Sequence, residues 1–165
     1  MTEMLTKDFA AWFMGDIDDA GQPIPHLDSD GRQKPGYGGV KEQLDIIEDA
    51  VRKYQSRETE GPDIGTMRSS LRTLSGYLAY MPKVLAESRA YASKKEAQYI
   101  ELYYDPTVKN VSPTMIKKQA EAFAKNEILV VNWIEQLNKN ILQICRSIQT
   151  DISYEKSVHP HSDNY

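Results

Sequence analysis

Residues 127–148 read Glu127-Ile128-Leu129-Val130-Val131-Asn132-Trp133-Ile134-Glu135-Gln136-Leu137-Asn138-Lys139-Asn140-Ile141-Leu142-Gln143-Ile144-Cys145-Arg146-Ser147-Ile148. Within them Val130, Ile134, Leu137, Ile141, Ile144 and Ile148 follow one another at alternating steps of four and three, the period that lines one face of an α-helix. Extended backward, the same seam takes in Ile116, Ala120, Phe123 and Glu127, of which only Glu127 is polar. A second stripe with this rhythm runs through Leu71, Leu74, Leu78, Met81, Leu85, Ser88, Ala92, Lys95, Tyr99 and Leu102. The two segments, 66–104 and 112–156, are parted by a short break containing Asp105-Pro106. Two such stripes joined by a short connection pack antiparallel. At 1.5 Å per residue each arm is roughly 60 Å long, so the hairpin is expected to project or to assemble with copies of itself.

Outward from the hairpin, the expected fold class is all-α: a long antiparallel, coiled-coil-like helical hairpin with two shorter N-terminal helices and an acidic Gly/Pro-rich loop. The expected regions are 1–65, an acidic N-terminal part; 66–156, the hairpin; and 157–165, a polar flexible tail. Residues 3–14 read as a short amphipathic helix with Leu5, Phe9, Trp12 and Phe13 on one side, rings that need a cover. Residues 16–39 are dense in Asp, Gly and Pro and read as a long loop. Residues 40–57 form a second helix through Val40, Leu44, Ile47, Val51 and Tyr54, expected to pack on one end of the hairpin or on a neighbouring copy. Gly61-Pro62 ends it, Thr66 is expected to cap the next helix, and Pro82 to kink it near 78–82. Ser112-Pro113, an N-cap followed by proline, starts the second arm.

The chain of 165 residues has the length of one domain. Its net charge of −4 is unevenly spread: residues 1–65 hold seven Lys/Arg against fourteen Asp/Glu, and residues 66–156 hold thirteen against nine. Opposite signs suggest a basic working surface with an acidic appendage, or a solvated coiled-coil exterior. The single Cys145 lies beside the seam, which excludes an internal disulfide framework and fits a reducing, cytoplasmic compartment. Its expected part is that of a small buried hydrophobe. The N-terminus lacks the basic and apolar regions of a signal peptide, and no apolar run is long enough to cross a membrane.

Chemistry is sparse. Asp16-Ile17-Asp18-Asp19-Ala20-Gly21 is no calcium loop, because Ala20 and Leu27 stand where ligands are needed. His159-Pro160-His161, two imidazoles around a proline, lies in the polar tail and is expected to be tail and not a metal site. No hydrolase elbow, phosphate-binding glycine loop or Cys-x-x-Cys pair occurs, so neither catalysis nor a cofactor is expected. Binding is. The first arm interleaves Arg68, Arg72, Lys83, Arg89, Lys94 and Lys95 with Tyr77, Tyr80, Tyr91, Tyr99, Tyr103 and Tyr104, a composition able to neutralise phosphates and stack unpaired bases. In an antiparallel hairpin turning near residue 108, positions near 95 face positions near 120, which gathers Arg89, Lys94, Lys95, Lys117 and Lys118 as a candidate nucleic-acid contact set. Leu129, Val131, Trp133 and Leu142 lie off the seam and are the expected homo-oligomer interface.

One resemblance bears on these residues. Asn132-Trp133-Ile134-Glu135-Gln136-Leu137-Asn138, continuing through Ile144-Cys145-Arg146-Ser147-Ile148 to Ile152-Ser153-Tyr154-Glu155-Lys156, resembles the C-terminal helix of the UvsY-like recombination mediators of bacteriophages. The helix over 85–104, ending in Tyr103-Tyr104 before a short break, agrees in layout; the nearest basic pair, Lys94-Lys95, stands further from the double tyrosine than in that family. The resemblance spans about residues 70–156. It implies an α-helical, ring-forming, non-enzymatic protein of the host cytoplasm that binds single-stranded DNA, helps displace single-strand-binding protein and loads a recombinase. Two other classes fit the same hairpin: an oligomeric structural protein of a virion or scaffold, and a small helical inhibitor or sponge acting against a host defence system.

Overall fold

The computed structural model describes residues 7–16, 18, 24, 39–57, 63–104 and 112–158. Five helices and no strand occur among them: α1 (Lys7–Met14), α2 (Val40–Arg57), α3 (Ile64–Tyr103), α4 (Pro113–Phe123) and α5 (Lys125–Val158). The fold is all-α, with the long helices α3 and α5 packed against each other. Cross-helix contacts give their direction: Tyr99 meets Gln119, Lys95 meets Glu127, and the Ser75 side chain hydrogen-bonds the Cys145 thiol. As the α3 number falls, its partner's number rises, which is the antiparallel register of a hairpin. The connection at 105–111, most of the loop at 16–39 and the His159-Pro160-His161 tail lie outside the described residues.

The second arm is two helices where one was expected. Ala124 takes φ −91° and ψ 16° between α4 and α5, although its N–H still donates to the Ala120 carbonyl and its carbonyl still accepts from Ile128. No glycine or proline marks this step, and nothing in the neighbouring side chains accounts for it. The start of α3 also differs from expectation. The helix begins at Ile64, and Asp63, not Thr66, is the cap: its carboxylate accepts from the Thr66 N–H at 3.0 Å and from the Thr66 hydroxyl at 2.8 Å. Asp three residues before Thr satisfies one of the orphan donors of the first turn, and places an anion at the helix N-terminus. Ser112 precedes α4 as expected, with Pro113 in the first turn, but its hydroxyl makes no capping bond. α3 continues through Pro82.

The chain divides into two compact units, each built from separated segments: Met1–Gln43 with Lys83–Ile134, and Leu44–Pro82 with Glu135–Tyr165. The second unit packs α2 on the first half of α3 and the later part of α5. Its core holds Leu44, Ile47 and Val51 of α2, Met67, Leu74 and Met81 of α3, and Leu137, Ile141, Ile144, Cys145 and Ile148 of α5. Fully burying side chains of this size contributes about 1.5–3 kcal/mol each. Cys145 belongs to this core, and burial pushes its thiol above the ordinary range while the Ser75 hydrogen bond pulls the other way.

The first unit packs α1, the second half of α3, α4 and the start of α5. Its core includes Phe9, Val84, Ser88, Ala92, Lys95, Ala120, Ala124, Glu127 and Ile134. α1 has its cover: Phe9 is fully buried, with ring contacts to Trp12, Phe13 and Tyr91. Trp12 donates from Nε1 to Glu87 Oε2 at 2.9 Å, and Phe13 meets Trp133 edge-on. Gly39, just before α2, lies against the backbone of Phe13, Met14 and Gly15, where a Cβ would collide. Gly15 itself ends α1 with φ 85°, a conformation that favours glycine.

Candidate functional site

Three stripes of α3 in the first unit divide the polar residues by function. Glu87, Tyr91 and Lys94 face α1. Ser88, Ala92, Lys95 and Tyr99 form the seam. Arg89, Ser93 and Glu96 lie on the other flank, where they meet Lys118, Glu121 and Ala122 of α4 and Lys125, Ile128, Leu129 and Val131 of α5. Steps of three and four within each set keep it on one side of the helix. The third stripe lines an open groove of about 660 Å³.

This placement separates the five basic residues that the hairpin geometry was expected to gather. Arg89 and Lys118 do share the groove. Lys94 lies on the α1 side, its ammonium donating to Asp8 Oδ2 at 3.1 Å. Lys117 is exposed and stands 3.8 Å from Glu121, one turn on. Lys95 is the clear departure: its side chain is 6% exposed, so it is interior and is not offered to a surface ligand. Its Nζ stands 3.0 Å from Glu127 Oε1, whose side chain is 0% exposed, and 5.3 Å from the Phe123 ring centroid. Neither Glu127 oxygen accepts a hydrogen bond among the described residues, so the contact with Lys95 is an ion pair by distance alone. The physical reason is the register. Residue 95 falls opposite 123 and 127, and the two charged members of the facing seams find each other.

Around that pair, Tyr99, Tyr103 and Phe123 form a ring cluster with centroid distances of 5.1–6.1 Å, and Tyr99 donates to Gln119 Oε1 at 3.1 Å. Tyr103 and Tyr104 keep exposed faces at the end of α3. The expected oligomer residues also separate. Leu129 is 55% exposed within the groove and Leu142 is 40% exposed on the second unit. Val131 is buried, and Trp133 is half-buried under Phe13.

The groove thus offers three cations drawn from three helices, Arg89, Lys118 and Lys125, two carboxylates, Glu96 and Glu121, and an apolar part of the lining from Ala92, Ala122, Ile128, Leu129 and Val131. Lys125, Glu96 and Glu121 were not singled out in the sequence. The signal that could have found them is the polar stripe flanking each seam at helical spacing. Among the described residues no group of His, Cys, Asp and Glu side chains could hold a metal ion, and no helix is long and apolar enough to cross a membrane. No protein-family model matches the chain, and no solved structure matches it.

Proposed function

We propose that the protein is a non-catalytic recombination mediator of the phage type, which binds single-stranded DNA along the groove of the first unit and assists recombinase loading in the cytoplasm of a host cell. The observation that carries this reading is the convergence of Arg89, Lys118 and Lys125 on one open groove whose lining also includes Ala92, Ala122, Ile128, Leu129 and Val131. Cations in such a lining neutralise phosphates, and apolar surface beside them receives the faces of bases that are not paired. A duplex keeps its base faces stacked inside and gains nothing from such a surface. The contact set is accordingly Arg89, Lys118 and Lys125, with Lys117 at the margin.

Leu129 favours a second reading. A leucine more than half exposed in a groove is also what an apolar side chain of a protein partner requires, whether a recombinase or a second copy of this chain. Leu142 supports self-association on the other unit. The deciding experiment is a fluorescence-polarisation titration of a labelled single-stranded oligonucleotide at two salt concentrations, with molar mass followed by light scattering. Binding that weakens with salt, and whose salt slope flattens in Lys118→Ala/Lys125→Ala by about 0.7 for each phosphate that is no longer neutralised, supports the mediator. Assembly with no affinity for DNA at low salt refutes it in favour of a structural protein.

A further inference from the structure

Glu96 and Glu121 present a problem for any groove that only holds phosphate. Two carboxylates among three cations weaken the attraction for a polyanion and repel any phosphate that approaches them. Neither is consumed by its neighbours. Glu96 is half-buried and makes no hydrogen bond or ion pair among the described residues. Glu121 has only the 3.8 Å contact with Lys117, an exposed pair one helical turn apart, which is too weak to hold it.

Resting on the reading of the groove as a single-strand site, we infer that it discriminates among bases, taking those that carry an exocyclic amine, cytosine above all, in preference to thymine, through the carboxylates of Glu96 and Glu121. An ionised carboxylate only accepts hydrogen bonds. The amines of cytosine, adenine and guanine donate to it, and the pairing of Glu with the cytosine amine is an established base contact. Thymine offers one imide N–H flanked by two carbonyl oxygens, so a carboxylate that reaches the donor also meets two acceptors. Glu96 stands seven residues after Arg89, two turns and about 10.5 Å along the same face of α3. The arginine therefore holds phosphate at one place while the carboxylate meets a base edge at another. The groove volume of about 660 Å³ suits one or two nucleotides with their bases turned inward.

The test compares labelled dC15 and dT15, pyrimidine strands alike in size and backbone charge, by fluorescence polarisation at pH 8, where cytosine is neutral. The expected result is tighter binding of dC15 by the wild-type protein, on the order of three- to tenfold. Glu96→Ala/Glu121→Ala narrows that gap chiefly by strengthening dT15, because the repulsion goes while the cations stay. Glu101→Ala, which removes a carboxylate outside the groove lining, leaves the gap unchanged. Equal binding of dC15 and dT15 by the wild-type protein overturns the inference and leaves the single-strand reading standing. A gap that closes equally in Glu101→Ala also overturns it, since net charge would then explain the preference. Failure to bind either strand at low salt overturns the single-strand reading itself, and the inference with it.

Discussion

Removing the Lys95 ammonium leaves a carboxylate in the seam with no cation beside it. Lys95→Met is therefore expected to destabilise the fold by about 3–5 kcal/mol, the usual effect of breaking a buried ion pair from one side. Replacing both partners, Lys95→Met with Glu127→Leu, is expected to recover that stability or to exceed the wild type, because the pair's desolvation cost disappears with it. Chemical denaturation of the two variants checks the claim; a neutral Lys95→Met would show that the ammonium does not compensate Glu127. Both residues were legible as seam members, since each falls on the heptad register of its own arm. Its charge alone makes Lys95 read as a DNA contact in the sequence. Position prevails over charge here: a seam side chain points inward whatever its chemistry, and a facing glutamate makes that tolerable. Leu137, buried on the same register in the second unit, has no such compensation. Leu137→Asp is expected to cost about 4 kcal/mol or more, read as a collapse of the thermal midpoint.

Helix ends were less legible than helix faces. The start of α3 depended on whether Asp63 or Thr66 was outside the first turn, and both are good capping residues at a spacing of three. The hydrogen bond from the Thr66 hydroxyl, then that from its backbone N–H, holds the exposed Asp63 carboxyl below the ordinary carboxylate range. A depressed native value means that the bond stabilises the fold fully above the unfolded-state value and loses its contribution as pH falls through the native one. Asp63→Ala should thus melt below the wild type at neutral pH, and the difference should shrink on acidification below about pH 4. A difference that persists into strong acid would show that the charge is not involved. The step at Ala124 had no signal at all, because neither a breaker residue nor a change of period announces it. The docking of α1 was legible as a need for cover, but not as an address: its partners Glu87, Tyr91 and Trp133 are far along the chain. Gly39→Ala tests that docking, since a Cβ there meets backbone and not a movable side chain. Loss of the Trp12 and Trp133 fluorescence signature of the native state at lower temperature than in the wild type is the expected outcome.

At the scale of the whole molecule the fold class was legible and the division into units was not. Heptad spacing identifies which face of a helix is buried, but says nothing about where along that face a third helix joins, and the third helix differs between the units: α1 in one, α2 in the other. The groove was invisible for a related reason, since it requires residues of α3, α4 and α5 that no single stripe contains. Self-association, proposed from Leu129 and Leu142, is checked by light scattering at micromolar concentration, where Leu129→Glu/Leu142→Glu should shift a multimer towards monomer; a wild-type monomer ends that proposal. The reach of α1 across the sequence also sets an order in time. The Tyr99 to Gln119 bond spans 20 residues of chain, whereas Trp12 to Glu87 spans 75 and Lys94 to Asp8 spans 86. Closing a loop costs more entropy as it lengthens, so contacts between the end of α3 and α4 have a head start over those of α1. Folding should begin where the end of α3 meets α4 and spread from there, with the N-terminal aromatic helix arriving last. In stopped-flow kinetics Phe9→Ala would then accelerate unfolding while leaving the refolding rate almost untouched, and Ala120→Gly, in the core of α4, would do the reverse. A chain that folds in this order completes its groove before its first helix has found a seat.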